Sequence, residues 1–229
     1  MNFVMRSVLL LFVLFSGPAA RSQKLIKQAV IRSILYTQFV GSDAKPVEVE
    51  LTTWLKSPNL KVFQQNENAN NFVYIDRITE KITTLYETMG KKIGFFIYDS
   101  TNEAKQKIWD SIEVVYVDSS RNINNFMCKE AILKYPKRLH QKDVEIWYDP
   151  DFVFDDRNMG LNIYGVNKIH GAAISFKALA ANNMMVEYKI TSIDTSTVID
   201  DNLFQVPDGF DIRTARAFQA YMNKLRAAN

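Results

Sequence analysis

MCKEAILKYPKRLHQKDVEIWYDPDF, residues 127–152, is the stretch on which the fold turns. It contains Cys128, the only cysteine, and His140, one of two histidines. Val144, Ile146 and Tyr148 alternate with Asp143 and Glu145, the pattern of a strand with one dry and one wet face. Met127 to Tyr135 is a second strand. Pro136 ends it by removing a backbone donor. Lys137, Arg138, His140, Gln141 and Lys142 have the composition of a solvated connector. The stretch therefore predicts a β-hairpin with a basic loop, not a reactive site. A thiol nucleophile needs a base within hydrogen-bond reach. His140 sits on a polar loop across a proline from Cys128, and His170 is far away in sequence. Free cysteine is among the most buried residue types, so Cys128 is expected in the core.

The same period continues outward. Val47, Val49, Leu51 and Leu55 share one face, and Glu48, Glu50 and Thr52 the other. Val186, Tyr188 and Ile190 alternate with Glu187 and Lys189. Further β-rich runs are 29–40, 59–64, 72–76, 81–86 and 112–118. Polar clusters at 41–43, 57–59, 65–71, 118–125 and 182–183 have turn composition. Consecutive strands with short connectors predict an antiparallel meander. The fold class is mainly β, an antiparallel sheet with a C-terminal helix.

Two stretches are not strand-like. Residues 102–110 predict a short helical or loop excursion. From Asp211, the spacing of Ile212, Ala215, Phe218, Met222 and Leu225 predicts one apolar helix face, with Asp211 as its cap. Packing on the sheet is the simplest burial for that face. The alternative is a membrane-surface helix, since Arg213, Arg216, Lys224 and Arg226 are basic.

The N-terminus reads MNFVMRSVLLLFVLFSGPAARSQ. Arg6 precedes an apolar run, Val8 to Phe15, too short to span a bilayer as a helix. Ala20-Arg21-Ser22 has the small-x-small form of a cleavage site. Residues 1–22 are expected to be a cleaved signal peptide; an uncleaved anchor is the alternative. Gln23 stands where a lipid-modified cysteine would have to be. Residues 23–229 are then expected to be one β-rich domain, periplasmic or secreted. Losing Arg6 and Arg21 takes the basic count from 28 to 26, against 25 acids. That balance excludes the dense basic face of a nucleic-acid partner. A lone cysteine permits no internal disulfide.

No catalytic, metal or cofactor constellation is legible. There is no phosphate-cradling glycine loop, no HExxH and no nucleophile elbow. Asp149, Asp151, Asp155 and Asp156 offer oxygens to calcium, or acids to a hydrolase. Phe152, Val153 and Phe154 interrupt that cluster, and the calcium-loop pattern with its distal Glu is missing.

Three segments together resemble a known family. Asn125 to Ala131 resembles a strand opening written Gly-Tyr-x-Cys-x-x-Ala, with Asn125 in place of the glycine. Glu145 to Asp151 resembles the strand end x-Val-Trp-Tyr-Thr-x-Asp. Asn202 to Phe210 resembles the closing x-Leu-Phe-x-Ile-Pro-x-Gly-Tyr. Their order resembles secreted bacterial families related to the LolA/LolB-like lipoprotein carriers and covers about the last half of the chain. The resemblance implies a half-barrel with a helix or loop in its mouth. In the carriers, the concave side holds acyl chains. Catalytic residues are not part of that pattern.

The composition suits such a shape: 15 Phe, 10 Tyr, 3 Trp and 8 Met. Ile93 to Tyr98 is apolar on both faces, as a strand or loop packed inside a concave sheet would be. Met184, Met185 and Met159 add adaptable apolar surface. The expected ligand-binding residues are Trp54, Phe95, Phe96, Trp147 and Met185. Strand alternation lets only one of each adjacent pair point inward. The expected function is non-enzymatic binding of a lipid or other hydrophobic molecule. The alternative is a cell-envelope module with a filled core and a protein partner.

Overall fold

The computed structural model describes residues 23–66, 69–88, 90–99, 103–156, 165–180 and 183–227. The leader reading of residues 1–22, Met159 and the Leu225 side chain lie outside what is described. The strands are β1 (Lys24–Ile26), β2 (Gln28–Phe39), β3 (Val47–Lys56), β4 (Asn59–Asn66), β5 (Ala69–Asp76), β6 (Lys81–Thr88) and β7 (Lys91–Tyr98). Helix α1 (Glu103–Asp110) follows, then β8 (Glu113–Ile123), β9 (Phe126–Lys134), β10 (Val144–Asp149), β11 (Phe152–Phe154), β12 (Ala172–Ala180) and β13 (Met184–Asp194). Strand β14 (Asp211–Thr214) and helix α2 (Ala215–Ala227) close the described chain.

Twelve strands form one sheet in the order β14-β7-β6-β5-β4-β3-β2-β13-β12-β10-β9-β8. Two antiparallel meanders, β2–β7 and β8–β13, meet along β2 and β13. The mainly β class and the C-terminal helix are as the residue pattern indicates. The sheet is mixed, however, because β14 pairs parallel with β7, and β1 pairs parallel with β11 in a separate two-stranded sheet.

The chain path requires curvature. From β7 to β8 the sheet passes ten strand-to-strand steps, roughly 48 Å at about 4.8 Å each. Residues 99–112 join these strands, and eight of them form α1. At about 1.5 Å per helical and 3.4 Å per extended residue, they reach roughly 32 Å. A flat sheet could not be bridged, so the sheet bends toward the connector without closing into a barrel. The β8–β13 half contains the irregularities that bend it, at Val117/Ser120, Trp147/Tyr148 and Ile190/Ser192. The ladders from β2 to β7 run without a register shift. Asn124, at the tip of the β8–β9 hairpin, donates to Ile190 O at 2.8 Å, three strands away in sheet order.

Register assigns the faces. Ala29, Leu55, Leu60, Ile75 and Ile82 form one cross-strand row on the inner face. All but Ile82, which packs against it half-buried, belong to the main core with Ile31, Ile146, Ile174, Phe176, Tyr188 and Ile190. Each such fully buried side chain contributes about 1.5–3 kcal/mol. Ile112, Val166 and Ile169 bring the connector and the 165–171 segment into that core, and Ile26 and Phe154 bring the β1–β11 pair. Gly165 has a left-handed φ of 88° and lies under Ile112, whose Cγ2 would stand 2.9 Å from an added Cβ. Lys168 Nζ donates to Ile112 O at 2.7 Å and secures the exit of α1.

The outer face has its own apolar layer. Leu85, Tyr74 and Thr83 are buried there, apart from the main core. Residues 199–210 bind this side of the sheet. Lys56 Nζ donates to Ile199 O at 2.9 Å and pairs with Asp201 at 2.6 Å. Residues 201–204, a short 3-10 turn, pack beside β4, and Phe210 lies 5.6 Å from Lys92 Nζ. The chain then adds β14 at the β7 edge and turns onto the inner face as α2.

Several local expectations are corrected. Asp211 does not cap a helix: Asp211–Thr214 is a strand, and Asp211 instead grips the Arg213 guanidinium. The helix starts at Ala215, and Thr214 Oγ1 accepts from Ala217 N at 3.3 Å. Residues 118–125 are not one turn. β8 runs through them to Ile123, and the chain reverses at Asn124 and Asn125, both at positive φ. Ile93 to Tyr98 is not inside the sheet's concavity but part of the sheet, as strand β7. Its two apolar faces are met by α2 on one side and by the outer layer on the other.

Candidate functional site

The two halves of the inner face are filled differently. Across β8–β13 the connector and the 165–171 segment leave Leu133, Ile146, Ile169 and Ile174 essentially without exposed surface. Across β4–β7 the inner residues Val62, Val73, Thr84, Tyr86, Ile93 and Phe95 are only half-buried, and Ile97 is 39 % exposed. This second half is a trough, and α2 packs along its β7 side. Phe218 of α2 stacks on Tyr86 at 6.0 Å and meets Phe95 at 5.0 Å; Tyr86 and Phe95 are 6.4 Å apart. At the edge, the Arg213 guanidinium lies 4.1 Å over the Tyr221 ring.

The trough is graded along the strands. Nearest Ser57 and Asp76, the row Leu60, Ile75, Ile82 and Ile97 is wholly apolar. The middle row is Val62, Val73, Thr84 and Phe95. The next row, Gln64, Asn71, Tyr86 and Ile93, has polar members. Asn71 Oδ1 is buried in it without a hydrogen-bond partner among the described residues. Burial raises the Tyr86 hydroxyl pKa above its ordinary value.

The five residues expected from sequence do not converge. Phe95 faces the trough. Register places Trp54, Phe96, Trp147 and Met185 on the opposite face. Lys61 Nζ lies 5.6 Å from Trp54, and Lys81 Nζ lies 4.9 Å from Phe96. Trp147 is buried under Arg121 at 3.9 Å and donates from Nε1 to Glu145 at 2.5 Å. Met185 is half-buried on β13, opposite Gln38 and Leu179. Sequence reasoning missed Asn71, Tyr86 and Phe218 as site residues. The signal was the hairpin at Gly90, whose register sets Tyr86 opposite Ile93 and so aligns it beside Phe95.

The reactive groups are occupied or shielded. Burial, with Asp149 adding to it and Arg121 opposing, pushes the Cys128 thiol up to about 12. Asp149 accepts from Asp151 N at 2.8 Å, Asp155 accepts from the Ser57 hydroxyl, and Asp156 pairs with Arg77 at 2.8 Å. Among the described residues, no three His, Cys, Asp or Glu side chains converge as a metal site. Nor is any helix among them long and apolar enough to cross a membrane. A cavity of about 100 Å³ lies at the opposite end of the sheet, between Thr37, Phe39, Lys45, Val47 and Met184. It is well below the several hundred Å³ of a usual small-molecule site.

No family model and no curated protein matches the chain. Solved structures do. PNGF-II in its C2 crystal form is 13% identical, with a TM-score of 0.46 over 84% of this chain and 32% of that one. MucB in complex with MucA(peri) is 12% identical, with a TM-score of 0.42 over 79% of this chain and 55% of MucB. The LolA superfamily protein NE2245 from Nitrosomonas europaea is 9% identical, with a TM-score of 0.38 over 79% of this chain and 91% of that one. The chain thus spans about a third of PNGF-II and about half of MucB.

Proposed function

We propose that this protein is a non-enzymatic binding protein of the cell envelope, periplasmic or secreted, that holds a lipid-like molecule against the inner face of β4–β7. The supporting observation is the asymmetry of that face: one half is a solid core, and the other is half-exposed, with a helix stacked on its β6–β7 side through Phe218. An apolar trough with few polar groups suits a hydrocarbon chain. Phe95, Tyr86 and Phe218 are the aromatic lining. The leader-like residues 1–22 support export, and the shielded Cys128 and paired acids support binding rather than chemistry.

The test is uptake of an uncharged apolar dye, N-phenyl-1-naphthylamine, by delipidated full-length protein. Saturable uptake that weakens in Phe95→Glu supports the reading. A folded sample that takes up no dye ends it.

A second reading, docking of an envelope protein, is favoured by Phe39 and Val47, both 61 % exposed, with Val40 beside them at one end of the sheet. Photo-crosslinking from a benzophenone residue at Val40 in envelope preparations tests it. One discrete protein adduct that disappears in Phe39→Asp supports docking, and no adduct removes it.

A further inference from the structure

We propose that the trough selects an amphiphile with an uncharged hydrogen-bond-donating head, a hydroxyl or amide N–H, and that Asn71 Oδ1 receives it. The inference rests on the trough being a ligand site and specifies what that ligand is. Asn71 is on β5, between Gln64 of β4 and Tyr86 of β6 in one cross-strand row. Its Oδ1 is buried with no hydrogen-bond partner among the described residues. A buried acceptor left unpaired is a standing cost, which a ligand donor would relieve. The surfaces beside it are apolar except at Thr84: Val73 follows on the same face of β5, Thr84 and Ile82 on β6, and Phe95 and Ile97 on β7. Two residues along a strand advance about 7 Å, so Asn71 to the Ile82 and Ile97 row is roughly 14 Å. A head at Asn71 with a tail along β6 and β7 fits this grading, with the tail's far end near Ile97, which is open to solvent.

An ionised carboxylate head fits poorly at this depth. It has only acceptors to offer to Oδ1, and burying its charge away from a cation is unfavourable. The Arg213 guanidinium, on the trough side of β14, is held by Asp211. Lys91 is one row beyond Asn71, at the end of the trough away from Ile97, and exposed. A head bound there would be anionic and would leave Asn71 Oδ1 unpaired.

The experiment is competition against bound N-phenyl-1-naphthylamine at pH 8, comparing a monoacylglycerol with the fatty acid of the same chain length. The monoacylglycerol is expected to displace dye at about tenfold lower concentration, the effect of one good hydrogen bond. In Asn71→Leu that gap closes; the comparison is of two ligands on one protein and so holds whatever the variant's dye affinity, and a gap that persists overturns the assignment to Asn71. Equal competition by the two ligands in the parent overturns the proposal without needing any variant. So does a fatty-acid preference, whether it is lost in Lys91→Ala or persists there. Failure of dye uptake itself is a different result and counts against the trough as a ligand site.

Discussion

Phe218 of α2 lies on Tyr86 of β6 with ring centroids 6.0 Å apart and planes 17° from parallel. Together with Phe95, that stack joins the C-terminal helix to the inner face of the sheet. Contacts of this kind are worth about 0.5–1.5 kcal/mol beyond the area they bury. Phe218→Ala is expected to cost about 1–2 kcal/mol and to raise hydrogen exchange in residues 215–227 first. A uniform loss of protection over the whole sheet would show that α2 is part of the global folding unit and not a separable element.

Gly94 of β7 is opposite Leu85 of β6, and an added Cβ would stand 2.6 Å from Leu85 Cδ2 and 2.7 Å from Thr84 O. The second atom is backbone and cannot turn aside. Gly94→Ala is therefore expected to destabilise by about 1–3 kcal/mol in urea unfolding. In a Leu85→Ala background, itself destabilised, Gly94→Ala should cost less than in the parent but still something, because the Thr84 carbonyl remains. No cost in that background would mean that the side chain was the whole obstacle.

Cys128 should be inert while the protein is folded. A shift from 9.0 to about 12 lowers the thiolate fraction at pH 8 by on the order of a thousandfold, and the thiolate is the reactive form. A disulfide reagent should label native protein slowly and unfolded protein within the mixing time. Rapid native labelling would contradict the burial.

Asp149 gives a pH dependence of definite sign. Burial raises its pKa above the ordinary 3.8, against the Asp151 N–H bond, which lowers it. The folded state then binds this proton more tightly than the unfolded chain. Its contribution is fully present below the unfolded pKa and is lost as pH rises through the folded one. Asp149→Asn retains an acceptor for Asp151 N–H and cannot ionise. Its urea midpoint relative to the parent should improve from pH 4 to pH 7. A difference that stays constant between those pH values would show that the carboxyl is not shifted in the folded state.

The strands were legible because alternation is local. Glu48 and Glu50 against Val47 and Val49, or Glu145 against Ile146, announce a half-buried strand with no knowledge of its neighbours. The hairpin through Pro136 was legible in the same way, whereas residues 102–110 read only as a break in the alternation, helical or loop, and form α1. Asp211 misled for a nonlocal reason. The edge of β7 presents a row of unpaired donors and acceptors, and residues 211–214 satisfy it as a parallel strand before the helix begins. The candidate site was legible only at Phe95. Trp54, Phe96, Trp147 and Met185 have the right chemistry for a lining, but their place in the two-residue period puts them on the other face.

By itself, the sequence determined the mainly β class, the approximate strand positions, the hairpin around Pro136 and an amphipathic C-terminal helix, all carried by neighbouring residues. Only the tertiary structure decided which face curls inward, which half of that face is filled, and where α2 lies. Those outcomes depend on register and on the reach of residues 99–112 across a bent sheet. Each is a relation between residues distant in the chain, which a two-residue period cannot encode.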